Sequence, residues 1–357
     1  MVADRYVQFV ALGMAVLFAP LAGANGPAGR AVLELRVQNF TVPPSTGPVG
    51  HVVVRNVGDT AYKGRVQLKL PAGWIYTPTA FDLSPAPLES LRLPFTIDKA
   101  VDTKTNSYAV ELIATEDAGG EISRKQNIVC AGAPYFKPKI DGDISDWADS
   151  IPVTFVVNGK RCVIRTYWTK RLWSVCVEVE ETKLGGYRKN AEGGTVDAVQ
   201  FALAVGGAET GSKPDDKANR YEFLIADCPG LFAKDKCFLL ARPGDALGLS
   251  QQVRRLDGLE FAEAKVVVKR KGKTTVYECS IPFSAMPQIR PDTGRDICFS
   301  VLVHDPDGTG IRDWGKAAGL WQSQRNKYAW CSWQGVKWAD PPPYDNKIEW
   351  GLCSSKY

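Results

Sequence analysis

The stretch LELRVQ at Leu33–Gln38 alternates apolar and polar side chains without interruption. Its apolar residues therefore face one way and its polar residues the other, which is the pattern of a β-strand with one buried face. The same alternation recurs in Arg65–Leu70 and Ser90–Ile97, and Tyr108–Glu116 extends it. The pattern predicts an all-β fold that begins with a small β-sandwich over residues 31–131.

The strand pattern continues beyond a joint at residues 132–138, which contains Gly132, Pro134 and Pro138. We predict that this joint is a linker and that residues 139–357 form a second, larger β-sandwich of the jelly-roll type. The expected strands of this second domain are Arg161–Trp168, Leu172–Glu180, Val196–Val205, Arg220–Ala226, Lys265–Arg270, Thr274–Ile281, Asp296–His304 and Lys347–Leu352.

Composition narrows the function classes. Of the 357 residues, 45% are hydrophobic and 23% are charged, which is the balance of a folded protein rather than a disordered one. The net charge of +5 is small for this length and argues against a nucleic-acid-binding protein. His51 and His304 are the only histidines, which disfavours histidine-rich zinc sites and bis-histidine haem sites. The chain instead carries ten tryptophans, six of them after Asp313.

The N-terminus predicts export. Val7–Ala24 contains no charged residue, follows Arg5 and ends in the small residues Ala22-Gly23-Ala24. This pattern is typical of a secretory signal peptide over residues 1–24, cleaved near Asn25, and the alternative is an uncleaved membrane anchor. We expect a periplasmic or extracellular protein that does not associate with a membrane once the signal is removed.

Nine cysteines, all at or after Cys130, are consistent with an oxidising compartment. Cys228 and Cys237 bracket a short Pro-Gly loop and are the first candidates for a disulfide. Cys162 and Cys176 flank an expected hairpin turn and are the second. The odd count leaves one thiol free or paired between chains, and the alternative is that several cysteines are small buried hydrophobes.

Four motifs follow one another in the second domain. They are IDGDISDW at Ile140–Trp147, DAVQF at Asp197–Phe201, YECSIPF at Tyr277–Phe283 and FSVLVHDPDG at Phe299–Gly308. In this order they resemble the family 9 carbohydrate-binding modules and their DOMON-like relatives over about residues 139–357. The resemblance implies a β-sandwich that binds the ends of polysaccharide chains between aromatic side chains. It also implies structural calcium, no catalysis, and a glycoside hydrolase as the partner in polysaccharide catabolism.

The resemblance also implies ligand-binding residues. Sugar-binding relatives carry a tryptophan where this chain has Gly194, so Tyr187 in the same loop is our candidate substitute. Their second aromatic residue lies in a segment that corresponds to about Gly319–Trp333, where polar residues alternate with tryptophans. A flat ring buries the apolar face of a pyranose, and neighbouring amides fix its orientation. The alternative is that these rings pack in the core. The candidates are Tyr187, Trp314, Trp321, Gln322, Asn326, Trp330 and Trp333.

Asp305-Pro306-Asp307-Gly308 has two interpretations. Asp305 and Asp307 can supply oxygens to a structural calcium ion. A plain Asp-Gly hairpin turn is the other interpretation.

The first domain has its own resemblance. VRNVG at Val54–Gly58 and LPAGW at Leu70–Trp74 are similar to the Ig-like accessory domains of bacterial α-galactosidases. This similarity implies a spacing or docking role rather than chemistry.

Two other function classes stay open. A glycoside hydrolase needs two suitably placed carboxylates, and this chain has 39 acidic residues from which to draw them. A DOMON-type haem protein would need a methionine and a histidine as axial ligands. After signal removal, Met286 and His304 are the candidate pair.

Overall fold

The computed structural model describes residues 33–189, 196–206, 220–230, 234–245, 255–318 and 348–354. Within these ranges the chain is all-β, as predicted, with a single α-helix of four residues at Trp314–Ala317. Short 3₁₀ turns occur at Pro44–Thr46, Ile144–Trp147 and Phe283–Ala285. No helix in the described ranges is long and apolar enough to cross a bilayer.

The first eight strands form two four-stranded sheets that enclose a core. The sheet orders are β1-β2-β6-β4 and β5-β3-β7-β8. Buried valines and leucines of β2, β3 and β7 meet between them, together with Phe40 and Phe95. The strands are β1 (Leu33–Val37), β2 (Val49–Asn56), β3 (Gly64–Lys69), β4 (Ile75–Thr77), β5 (Ala80–Leu83), β6 (Ser90–Lys99), β7 (Tyr108–Glu116) and β8 (Glu121–Ile128).

The remaining strands form a five-stranded and a seven-stranded sheet around a larger core. Their orders are β10-β11-β12-β17-β16 and β15-β14-β13-β18-β20-β9, with β19 paired to β18. The strands are β9 (Gly132–Ala133), β10 (Val153–Val157), β11 (Lys160–Trp168), β12 (Leu172–Glu180), β13 (Ala198–Val205), β14 (Tyr221–Ala226), β15 (Lys236–Ala241), β16 (Lys265–Lys271), β17 (Thr274–Pro282), β18 (Asp296–Asp305), β19 (Gly310–Asp313) and β20 (Ile348–Leu352).

The strands expected from alternation match the observed ones closely. Tyr108–Glu116 and Leu172–Glu180 coincide with β7 and β12, and the other expected strands differ at their ends by a residue or two. Alternation was most informative in the first pair of sheets, where β2, β3 and β7 alternate buried with more exposed residues, so register is strongly specified.

The segment expected to be a linker, residues 132–138, begins with a short strand. Gly132 and Ala133 form β9, which pairs in parallel with β20 in the seven-stranded sheet. A side chain at Gly132 would also collide with the Thr41 carbonyl oxygen, 2.9 Å from an added Cβ atom. The connection between the two pairs of sheets is therefore built into the second core, because glycine lets two backbones approach closely.

Arg36 of β1 does not follow the simple alternation of buried and exposed residues. It lies on the polar side of β1 but is only 6% exposed. Its Nη2 donates to Glu349 Oε1 at 2.6 Å, and Gln38 Nε2 donates to the same oxygen at 2.9 Å. Glu349 belongs to β20, so this ion pair joins the first pair of sheets to the second.

The disulfide expectations are wrong for the cysteines that the structure describes. All eight of them are free and buried, namely Cys130, Cys162, Cys176, Cys228, Cys237, Cys279, Cys298 and Cys353. Strand parity is the reason. Cys162 lies opposite Val179, three residues from Cys176 along β12, so the two thiols lie on opposite faces. Cys237 lies opposite Ile225 on the core face of the sheet, whereas Cys228 packs with Tyr187 on the other face.

One buried carboxylate joins two of the four motifs. Glu278 of β17 accepts hydrogen bonds from the backbone amides of Asp141 and Gly142, at 2.8 and 2.6 Å. Its other oxygen accepts from Trp147 Nε1 at 2.7 Å. The Trp147 ring is 1% exposed and stacks on Tyr167 with the centroids 5.1 Å apart. The first motif is thereby held against the outer face of the five-stranded sheet.

We expect Glu278→Ala to lower the free energy of unfolding by about 3 kcal/mol or more, because the buried Trp147 indole and two partly buried backbone amides lose their acceptor. Glu278→Gln, which keeps one acceptor oxygen, should lose less. Denaturant titration measures both. The exposed Glu263→Ala is the control and should change stability by less than about 0.5 kcal/mol. Equal stability of Glu278→Ala and the wild type would contradict this role.

Candidate cation site and adjoining cleft

Three aspartates converge where β13 begins and β18 ends. Asp197 directly precedes β13, Asp305 is the last residue of β18, and Asp307 lies in the following turn. These strands are antiparallel, with Ala198 opposite His304, so the register brings the start of one beside the end of the other. One carboxylate oxygen from each aspartate lies within 4.8 Å of the other two.

Two of these carboxylates are buried with incomplete hydrogen bonding. Asp197 and Asp305 are 1% and 2% exposed, and the Oδ1 atom of each has no hydrogen-bond partner among the residues that the structure describes. Asp197 Oδ2 accepts from the Gly185 amide. Asp305 Oδ2 accepts from the backbone and hydroxyl of Thr309, at 3.0 and 2.9 Å, and from Arg312 Nη2. Buried oxygens without a donor are rare in folded proteins, and they point to a missing partner.

The electrostatics of the cluster favour a cation. Burial, together with the charges of Asp307 and Asp305, raises the pKa of Asp197 to about 6. Burial also raises the pKa of the neighbouring Glu181 to about 7, with Asp197 and Asp305 adding to the effect. Burial would raise the pKa of Asp305 too, but hydrogen bonds from the Thr309 backbone and Arg312 hold it below its ordinary value. The cluster therefore carries more negative charge than its protein donors neutralise.

The donor set fits a calcium ion. Calcium prefers six to eight oxygen ligands and accepts several carboxylates. Asp197, Asp305 and Asp307 would hold it, and a bound ion would neutralise their mutual repulsion. The Asp-Gly turn also exists, since the Gly308 amide donates to the Asp305 carbonyl at 3.1 Å. The two interpretations of this motif are thus compatible, because the turn is what brings Asp307 back toward Asp305.

Asp197 was absent from the sequence-based metal site. Its signal was present, because it opens the DAVQF motif, but only the pairing of β13 with β18 reveals that it faces Asp305. A sequence separation of more than 100 residues cannot be bridged by local spacing rules.

The segment that follows β12 connects this cluster to a cleft. Lys183 Nζ lies 3.6 Å from Asp307 Oδ2, and the Gly185 amide binds Asp197. Two residues later, the Tyr187 amide donates to the Asp227 carbonyl at 2.7 Å. A cation that orders the acidic cluster therefore also orders the segment that carries Tyr187.

The cleft has a volume of about 630 Å³. This size is within the range of small-molecule sites in proteins. It is lined by Tyr187, Arg188, Lys189, Cys228, Pro229, Lys236, Asp257, Gly258 and Glu260.

Tyr187 lines this cleft but is not an open stacking platform. Its side chain is 5% exposed and packs against Phe238 with the ring centroids 5.0 Å apart. Lys236 Nζ lies 5.4 Å from its ring centroid, and its hydroxyl donates to Asp257 Oδ1 at 2.5 Å. Tyr187 therefore forms the base of the cleft and positions Asp257, rather than presenting a free ring face as expected.

Trp314, one of the predicted ligand-binding residues, is buried in the core. It is 2% exposed and packs in the second core, with its ring 5.5 Å from that of Trp350 and 6.5 Å from that of Phe299. A fully buried ring offers no face to a sugar. The other tryptophan and amide candidates lie outside the described residues, and they are Trp321, Gln322, Asn326, Trp330 and Trp333.

Two exposed aromatic side chains were not among the predicted ligand-binding residues. Tyr135 and Phe136 are 45% and 46% exposed. Each contacts an aromatic ring of β11, Tyr135 that of Trp168 and Phe136 that of Tyr167. They fall in the segment expected to be a linker, and an aromatic pair in a linker carries no distinguishing sequence signal.

The hypothesis that Met286 and His304 ligate one haem iron is also wrong. Met286 is fully buried in the core between the sheets. His304 lies on the opposite face of β18 from Val301 and Val303, which face that core, and bonds to Gln200 Oε1 through Nε2 at 3.0 Å. Residues on opposite faces of a sheet cannot ligate one iron.

No known family profile matches the sequence, and no curated protein matches it. Among solved structures, a family 9 carbohydrate-binding module from Caldicellulosiruptor kristjanssonii in complex with cellotriose is similar at 16% identity and a TM-score of 0.39, over 62% of this chain and 92% of the module. The same kind of module from that organism in complex with glucose is similar at 13% identity and a TM-score of 0.35, over 62% and 93%. Spo0M, a sporulation control protein from Bacillus subtilis, is similar at 13% identity and a TM-score of 0.20, over 43% and 80%. Scores this low do not establish a shared fold, so function is inferred below from this chain's own residues.

Calcium should stabilise the protein. A ligand at one hundred times its Kd adds about 2.7 kcal/mol, so the melting temperature in excess calcium should rise by several degrees over that in chelator. Asp197→Asn should abolish this rise. In chelator it should be at least as stable as the wild type at neutral pH, because it removes a carboxylate whose raised pKa marks its charge as unfavourable. Differential scanning calorimetry measures both effects.

The exposed Asp98→Asn, far along the chain in β6, is the control and should keep the calcium response. A wild-type melting temperature that is the same in calcium and in chelator would contradict the site.

Proposed function

We propose that this chain is a non-catalytic carbohydrate-binding protein that holds a glycan in the cleft above Tyr187. The observation that carries the proposal is the cleft itself, which is lined by hydrogen-bonding groups of both kinds together with Pro229 and the largely buried Tyr187. Lys236 offers a donor, and Asp257 and Glu260 offer acceptors. A sugar ring presents apolar C–H faces and a rim of hydroxyls that both donate and accept, so this combination suits it.

The position of the cleft supports the proposal. The four motifs that resemble family 9 carbohydrate-binding modules come together in one sandwich, where two of them supply the acidic cluster and another is bound by Glu278. The cluster holds the segment that carries Tyr187. In this proposal calcium has a structural role, because it orders one wall of the binding cleft without touching the sugar.

Burial argues against catalysis by the acidic cluster. A glycoside hydrolase needs two carboxylates that reach the glycosidic bond. Asp197 and Asp305 are almost fully buried, and Asp305 is bound by Arg312. Such carboxylates suit cation binding better than attack on a sugar. We propose that any hydrolysis is performed by a separate glycoside hydrolase, for which this protein provides the attachment to polysaccharide.

The compartment is part of the same proposal. The uncharged stretch before Asn25 supports export and removal of residues 1–24, which would bring the mature protein to the periplasm or the extracellular space. Polysaccharide too large to cross a membrane is accessible there.

Retardation in gels that contain neutral polysaccharides tests binding directly. The mature chain from Asn25 should be retarded by at least one of them. Asp257→Asn with Glu260→Gln should weaken that binding about tenfold, since each substitution removes hydrogen bonds to a charged acceptor. Asp98→Asn with Glu121→Gln changes the same charge on the first pair of sheets and should leave the binding unchanged. No retardation by any polysaccharide, whether neutral or charged, would overturn the proposal.

The sequence-based assignment of the tryptophans has its own test. Trp321→Ala and Trp330→Ala should each weaken glycan binding by about tenfold or more if their rings stack on sugar. Intrinsic fluorescence quenching by the glycan and the same gels provide the measurement. Tyr135→Ala and Phe136→Ala serve as matched exposed aromatics. If these two variants lose binding while the tryptophan variants keep it, the stacking surface lies beside β11 and the tryptophan assignment is wrong.

A further inference from the structure

The charged side chains of the cleft are unequally neutralised. Three cations and two carboxylates line it, namely Arg188, Lys189, Lys236, Asp257 and Glu260. A formal excess of a single positive charge is small in itself. What matters for a ligand is which of these groups already have partners within the protein.

Both carboxylates have partners. Asp257 Oδ1 accepts from the Tyr187 hydroxyl at 2.5 Å. Glu260 Oε1 accepts from Lys236 Nζ at 3.1 Å, and its Oε2 accepts from the Gly258 amide at 2.8 Å. Bonds from its own backbone amide and from Lys236 hold the pKa of Glu260 below its ordinary value. Both carboxylates of the cleft are therefore acceptors that the protein has already engaged in part.

Two of the three cations have no partner among the described residues. Lys236 is shared between Glu260 and the ring of Tyr187. Arg188 and Lys189 are exposed, and within the described part of the chain no carboxylate, carbonyl or ring pairs with either. Both residues line the cleft, so its wall offers a guanidinium and an ammonium group.

This pair suits an anionic group. A guanidinium binds a carboxylate or a sulfate through two parallel hydrogen bonds, and an ammonium adds a compact charge beside it. The segment that carries the pair is anchored just before it, through the Tyr187 amide and the acidic cluster. The cations are thus presented on a fixed backbone, which reduces the entropy lost on binding.

We propose that the cleft selects an anionic glycan, with Arg188 and Lys189 binding a carboxylate or sulfate group carried by the sugar. This inference rests on the proposed carbohydrate-binding function and specifies its substrate class. The sugar lies in the cleft, its hydroxyls bond to Asp257 and Glu260, and its acidic group reaches Arg188 and Lys189.

Paired ligands test the charge requirement in the mature chain. One pair is polygalacturonate and its fully methyl-esterified form, and the other is a sulfated galactan and its desulfated form. We expect the wild type to bind at least one charged form about tenfold or more tightly than its neutral counterpart, with the preference declining as salt is added. The first pair reports on carboxylate and the second on sulfate.

Arg188→Gln with Lys189→Gln should bring the ratio of charged to neutral binding close to unity. Arg161→Gln with Lys104→Gln removes the same two charges from unpaired, exposed positions elsewhere and should keep the ratio of the wild type. Arg188→Lys with Lys189→Arg preserves charge and should keep most of the preference. Circular dichroism and the calcium-dependent melting temperature show that each variant is folded.

The outcomes separate this inference from the function on which it rests. Equal binding of charged and neutral forms by the wild type overturns the anionic selectivity and leaves carbohydrate binding standing. A preference that survives Arg188→Gln with Lys189→Gln overturns the assignment to this cleft. Binding of neither form of either glycan overturns both proposals.

Discussion

Glu278 is the constraint on which the second sandwich depends. A buried carboxylate is costly unless its oxygens are bonded, and Glu278 meets this condition through two backbone amides and one indole. Those donors arrive from a motif more than 130 residues earlier in the chain. β17 also lies inside the five-stranded sheet, between β12 and β16. One side chain therefore fixes where the chain enters the domain relative to a strand at the interior of its sheet.

The pairing of β13 with β18 has the equivalent role for function. It juxtaposes Asp197 and Asp305, and it leaves each with an oxygen that no donor of the described segments reaches. The same pair of strands carries a buried series of side-chain hydrogen bonds on the outer face of the sheet. His304 bonds to Gln200, and Gln200 bonds to Glu222. The acidic cluster holds the segment after β12, and that segment carries the aromatic base and the cation pair of the cleft. One strand register thus links the fold, the acidic cluster and the cleft.

Much of the fold could be predicted because burial on one face leaves a period of two in the sequence. β7, in which burial alternates, is an example in which both ends were correct. The errors share one cause, which is that local spacing does not say which face or which partner a residue meets. Cys162 and Cys176 flank a hairpin turn, yet an offset of three residues places them on opposite faces. Trp314 follows β19 in an aromatic-rich segment, yet it turns inward against Phe299 and Trp350.

The sequence by itself determined the strand class, the approximate bounds of most strands, the order of the four motifs, and two of the three aspartates of the acidic cluster. These features are local, because they depend on side-chain alternation and on turn chemistry over a few residues. Tertiary structure alone decided that Asp197 completes the cluster, that Glu278 binds Trp147, and that Arg188 and Lys189 border the same cleft as Asp257. These are contacts between residues remote in sequence, and they follow from strand pairing and register, which no single segment of the chain encodes.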